Sequence, residues 1–175
     1  MAETKKISFG GLPTDVTAKV ERAADSYAWL LAQAKALEAG NLSALDRKGL
    51  AEELEDMAAL RRDEVVGLLR VVLTHLLKWR DSRVRRSDHR WTVDLTHARV
   101  DLADLLEDST VLRNELPVLL VKAYRGARKN AGAEMRFKAG RDWERLFPIE
   151  CPWTIDEVLQ DDFVPDIAPD ANGRS

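Results

Sequence analysis

Residues 46–79 read DRKGLAEELEDMAALRRDEVVGLLRVVLTHLLKW, and the fold turns on how that run is parsed. Leu50, Leu54, Met57, Val65, Leu68, Val72, Leu76 and Trp79 recur at helical spacing. At about 100° per residue they stay on one side of a single helix. Only Arg61 interrupts the series, and no proline breaks it. The pattern predicts one helix from about Asp46 to Trp79, without a turn at Arg61–Arg62, roughly 33 residues and ~50 Å long. From Val65 onward Val66, Leu69, Leu73 and Leu77 widen the apolar stripe, so this half is expected at the buried centre of a bundle.

Working outward, a second stripe runs upstream through Val16, Val20, Ala23, Ala24, Tyr27, Leu30, Leu31, Ala34 and Leu37. It predicts a helix from about Asp15, stopped by Gly40. Downstream, the polar stretch from Arg80 to His89 breaks the pattern before Trp91, Leu95, Ala98, Leu102, Leu105 and Leu106 resume it. Ser87 or Asp88 can cap that helix, and Ser109 can cap another carrying Leu112, Leu116, Leu119, Ala123 and Ala127. Pro117 predicts a kink or a short preliminary turn there. After Gly132 the helical signal fades into an arm with Trp143, Phe147 and Trp153, in which Thr154 and Glu157 form a capping-box pattern. The expected fold is an all-α helical bundle of about four main helices, with one long central helix and an extended C-terminal arm. Residues 15–164 form its single domain, between a flexible lead-in over 1–14 and a disordered acidic tail over 165–175.

Composition agrees with a globular chain: 175 residues, 45% hydrophobic and 33% charged, with a net charge of -3. That balance gives no global pull toward nucleic acid or membrane. Cys151 is the single cysteine, which excludes an internal disulfide and suits a reducing, cytoplasmic setting. Gly10, Gly11 and Pro13 fall where a signal peptide would carry its apolar core. The most apolar run, Val65 to Leu77, is broken by Arg70 and His75 and is far short of the ~20 residues that span a bilayer.

Four stretches carry a resemblance: YAWLLAQAKALEAGNLSALDRKGLAEELEDM, LLRVVLTHLLKWR, LLEDSTVLRNEL and FPIECPWTIDEVLQDDFVP. In that order, and above all in the combination of AEELE, HLLKW and CPWT, the chain resembles the bacterial domain of unknown function family numbered 29. The likeness runs from about Asp25 to Pro165. It implies an all-helical fold and brings no assigned activity or catalytic residues.

The residues themselves offer three candidate chemistries. The acidic cluster Glu52, Glu53, Glu55 and Asp56 and His75 suggest a metal site, but no histidine has the Glu-x-x-His spacing of di-iron bundles. On one continuous helix Glu53 and His75 lie ~33 Å apart. His97, on the next helix, can approach His75 and make a polar core site, giving two nitrogens without an obvious third ligand. Cys151 lies between Glu150 and Pro152, with no basic neighbour to activate the thiolate. Neither a catalytic residue, a metal nor a cofactor is therefore assigned. The strongest signal is electrostatic: Lys78, Arg80, Arg83, Arg85, Arg86 and Arg90 face only Asp81 and Asp88 in that stretch, bracketed by Trp79 and Trp91. Arg80, Arg83, Arg85, Arg86 and Arg90 are candidates for nucleic-acid binding. They can instead pair with the acidic residues Asp156 to Asp170, in the same chain or a second copy. The leading expectation is a non-enzymatic protein acting through a protein partner or as a homodimer. Nucleic-acid association through the arginine segment is the alternative, and a helical-bundle enzyme with a site near His75 and His97 comes third.

Overall fold

A computed structural model describes residues 22–81, 89–139 and 147–166 of the chain. Among the described residues five α-helices run in order: α1 over Ser26–Glu38, α2 over Arg47–Asp81, α3 over His89–Glu107, α4 over Thr110–Ala139 and α5 over Ile155–Leu159. No strand occurs among the described residues, and the fold is the all-α bundle the periodicity predicts. No helix of the described residues is long and apolar enough to cross a membrane.

α2 is the long central helix, 35 residues without a break at Arg61–Arg62. Its entry is fixed by Asp46, whose Oδ1 accepts a hydrogen bond from the Gly49 N–H at 3.0 Å. α1 ends as expected at Gly40, whose φ of 67° places it in the left-handed region. The Gly40 N–H donates to the Leu37 carbonyl and the Asn41 N–H to the Ala36 carbonyl, the paired bonds of a Schellman stop. The start of α1 differs from the sequence expectation. Residues 22–24 form a turn and Asp25 caps α1 by accepting from the Ala28 N–H at 2.9 Å, so α1 begins at Ser26 and the expected helix does not run unbroken through 22–25; its residues 15–21 lie outside the described residues. An aspartate that satisfies a free N–H outweighs the continuity of the apolar stripe. The expected lead-in over 1–14 lies outside the described residues, as does most of the expected tail.

The chain divides into two compact units, one ending at Met57 and the other beginning at Ala58. In the first, α1 and the start of α2 form an antiparallel hairpin: Arg22 meets Glu52 and Glu53, and the Gln33 side chain accepts from the Asp46 N–H at 2.7 Å. Trp29, the one large apolar residue buried in this unit among those described, lies where a Cβ on Gly49 would come within 2.8 Å of its ring. Gly49 thus permits the close approach of the two helices.

The second unit holds the core. Val65, Leu69, Val72, Leu73 and Leu76 of α2 pack with Leu95, Ala98 and Leu102 of α3, and with Leu116, Leu119, Ala123 and Ala127 of α4. Phe147, Trp153 and Val158 of the arm complete the cluster. α4 starts at the expected cap, with Ser109 Oγ accepting from the Leu112 N–H at 3.2 Å. Of the kink or preliminary turn expected at Pro117, the turn is absent, since the proline lies inside the helix. One expectation is corrected: the helix continues past Gly132 to Ala139. Tertiary contacts explain the extension: Ala131 is buried, Met135 packs against the core and Glu134 pairs with Lys78. Such packing outweighs the weak helix preference of one glycine.

Candidate functional site

Three features stand apart from simple packing. The first is a polar layer near the C-terminal end of α2. Lys78, buried at its side chain, pairs with Glu134 of α4 at 2.6 Å. One turn earlier the half-buried His75 places Nε2 3.9 Å from Asp94 Oδ2 of α3. Burial, reinforced by the Lys78 charge, holds His75 below its ordinary pKa of 6.5, against the opposing pull of Asp94 and Glu134. The imidazole is therefore neutral at pH 7 and Asp94 approaches it without a full ion pair. His97, the other half of the expected core site, is exposed. The group that approaches His75 from α3 is Asp94. Among the described residues no three His, Cys, Asp or Glu side chains converge as metal ligands. The acidic cluster of α2 is held instead by Arg22, which reaches Glu52 at 2.7 Å, Glu53 at 2.9 Å and Asp56 at 4.0 Å.

The second feature is the seating of the arm over residues 147–166. Arg99, on the core-facing side of α3, is buried and donates to three backbone carbonyls. Nε bonds Val158 at 3.0 Å, while the terminal nitrogens bond Asp161 at 2.9 Å and Phe163 at 3.0 Å. The planar guanidinium meets several acceptors at once, which a lysine cannot do. Burial lowers its pKa from the usual arginine value, and Asp161 and Asp162 oppose that shift. On α4, the Tyr124 hydroxyl donates to the Pro148 carbonyl at 3.0 Å and Arg128 to the Phe147 carbonyl at 3.2 Å. Burial and the neighbouring Cys151 push the Tyr124 hydroxyl up to about 12. The expected capping box is present, with Thr154 and Glu157 exchanging side-chain to backbone bonds. Trp153 packs edge-on to Phe163 at 6.5 Å. Cys151 is half-buried with a thiol raised above its usual range, chiefly by burial. An arginine does meet the acidic C-terminal segment, but it is Arg99 bonding carbonyls, and sequence reasoning missed it. The signal was present: Arg99 lies four residues after Leu95 and three before Leu102, inside the apolar stripe.

The arginine segment is only partly visible. Arg80 ends up half-buried on α2, close enough for its charge to act on Tyr124. Arg83, Arg85 and Arg86 lie outside the described residues, and of Arg90 only its backbone in the first turn of α3 is described. Trp79 is half-buried, less enclosed than its apolar phase implies, and the Trp91 side chain lies outside the described residues.

The third feature is an open apolar surface on the first unit. Tyr27, Leu37, Leu42, Leu54 and Met57 are each more than half exposed, at 57% to 71%. Leu54 and Met57 belong to the stripe whose later members form the core, so one periodic pattern is covered at one end and uncovered at the other.

No curated protein and no solved structure matches the chain. The family described as domain of unknown function DUF29 matches residues 23–164, from the turn before α1 through the arm that Arg99 holds. With most of its length covered, the chain belongs to the DUF29 family.

Proposed function

We propose that this is a non-enzymatic helical protein that works through protein–protein contacts in a cytoplasmic setting. The observation that carries the reading is the uncovered apolar surface of the α1–α2 hairpin. Exposed single apolar residues are ordinary, whereas several on one small hairpin mark an interaction surface. The polar layer around His75 supports the same reading. Its groups pair across three helices, as Lys78 with Glu134 and His75 toward Asp94, which suits fixing the register of a bundle.

The test is affinity capture with the wild-type chain and with a Leu54→Glu/Met57→Glu variant, followed by mass spectrometry and sequencing of co-purified nucleic acid. The reading expects specific protein capture that the double variant loses. Nucleic acid retained at low salt and released by substituting Arg83, Arg85 and Arg86 with alanine would move the function to the arginine segment.

A further inference from the structure

The open face of the hairpin has a defined geometry. On α1, Trp29 and Gln33 are turned toward α2, as is Arg22 in the turn before the helix, while Leu37 and Leu30 lie about 60–80° around the helix from them and Tyr27 about 140°, all in one rotational sense. On α2, Gly49 and Glu53 face α1, as does Asp46 just before the helix, and Met57 and Leu54 lie about 60° and 120° around, in the same rotational sense. Because the two helices are antiparallel, rotations in the same sense bring both apolar stripes to one side of the hairpin. The seam between the helices is mostly polar, built on Arg22, Glu52, Glu53, Gln33 and Asp46 with Trp29 alone in its middle. The hairpin therefore carries its apolar surface outside its own packing, and amphipathic layers are stable only against another layer.

The ends of the hairpin carry opposite charge. The connection end holds Lys35, Arg47 and Lys48 against Glu38 and Asp46. The far end holds Arg22 against Asp25, Glu52, Glu53, Glu55 and Asp56. A two-fold axis lying in the open face, across the helices, would set each basic end over the acidic end of another copy. Tyr27, Leu30, Leu37, Leu54 and Met57, with the alanines between them, supply the apolar centre that an interface of standard size, ~800 Å² per partner, requires.

We infer that the occupant of this face is a second copy of the chain, with two α1–α2 hairpins packed face to face and end to end reversed as a four-helix layer. The inference rests on the interaction reading above and names its partner. Val111, Val118 and Val121 of α4 also reach solvent, but they belong to a helix whose other side is already packed in the core.

Sedimentation equilibrium of the full chain between about 1 and 200 μM tests it. The expected species has twice the 19.7 kDa mass of the chain. Leu54→Glu/Met57→Glu, and independently Tyr27→Glu/Leu37→Glu, should weaken association at least a hundredfold with the circular dichroism unchanged. Val118→Glu should leave association as it is. Raised salt should weaken the dimer several-fold, because the end-to-end charges lie at the rim. A monomer at 200 μM overturns the inference, and so does a dimer that resists both hairpin variants or is lost with Val118→Glu. A wild-type monomer that becomes dimeric when residues 1–21 are removed also overturns it and assigns the face to the chain's own N-terminal segment. If the wild type is monomeric yet captures a protein that Leu54→Glu/Met57→Glu releases, the second copy fails and the interaction reading stands. Monomer without such capture removes both.

Discussion

The hairpin of residues 22–57 and the bundle that begins at Ala58 are both made of amphipathic helices, yet they treat their apolar residues in opposite ways. In the bundle, α2, α3, α4 and the arm each turn a stripe inward, and Leu69, Leu73, Leu76, Leu77 and Leu102 are sealed from solvent. In the hairpin only Trp29 is buried among the large apolar side chains, while ion pairs occupy the seam. α2 passes through both regimes in a single helix, so the difference does not come from helix formation. It comes from what the rest of the sequence supplies to cover each end. An apolar stripe states that burial is favourable; it does not state which chain provides the cover.

The comparison breaks most sharply on paired leucine truncations. Leu73→Ala should cost about 2–5 kcal/mol in chemical denaturation, because a sealed site cannot refill the lost volume. Leu54→Ala should change the stability of the isolated chain by under about 0.5 kcal/mol, as expected at a position 64% exposed. A large loss at Leu54 in the monomer would mean that the hairpin face is covered from within. Next in size is Arg99→Ala, expected to cost about 2–4 kcal/mol, since three carbonyls lose a shared charged donor. Hydrogen exchange should then accelerate over residues 155–163 while the α2 amides stay protected. Arg99→Lys should rescue only part of the loss.

Smaller effects sharpen the contrast. Gly67→Ala in the bundle half of α2, where an added Cβ meets nothing within 4 Å, should stabilise by roughly 0.5–1 kcal/mol through helix propensity. Gly49→Ala in the hairpin half should destabilise instead, because its Cβ would fall 2.6 Å from the Asp46 carboxylate and 2.8 Å from the Trp29 ring. Equal effects at the two glycines would show that α1 does not press on α2 in solution. The smallest effect is in pH. The folded pKa of His75 lies below its ordinary 6.5, so the unfolded chain takes up the proton first as pH falls. Its contribution is complete above about pH 6.5 and is lost progressively below it. His75→Gln should flatten that part of a stability–pH curve, and an unchanged slope would exclude this histidine as its source.

Much of the helical framework was legible in the sequence. The unbroken phase from Leu50 to Trp79 predicts α2, and the caps at Ser109 and Thr154 and the stop at Gly40 are local chemistry that needs no tertiary knowledge. The start of α1 and the reach of α4 were misread because a cap and a few distant contacts outweigh a periodic stripe. The acceptors that seat the arm were not legible, since the carbonyls at Val158, Asp161 and Phe163 follow no period that would announce a common donor. Arg99 left a trace as a charge inside an apolar phase, which marks a residue that must find acceptors without naming them. That Tyr27, Leu37, Leu54 and Met57 would lie open was not legible either, because amphipathicity carries no record of its partner.

The Arg99 contacts also have a consequence in time. Its acceptors follow it by 59, 62 and 64 residues, so during synthesis the guanidinium is made well before anything can receive it. A cation destined for burial stays hydrated until then, because enclosing it without acceptors is costly. The side of α3 that carries it should therefore remain open on a nascent chain until the stretch around Phe163 has left the ribosome. Stalled chains ending near residue 150 should expose Arg99 to dicarbonyl reagents, and chains extended some 40 residues past Phe163, enough to clear the exit tunnel, should protect it. Equal labelling of the two would mean that the last folding step does not wait for the arm.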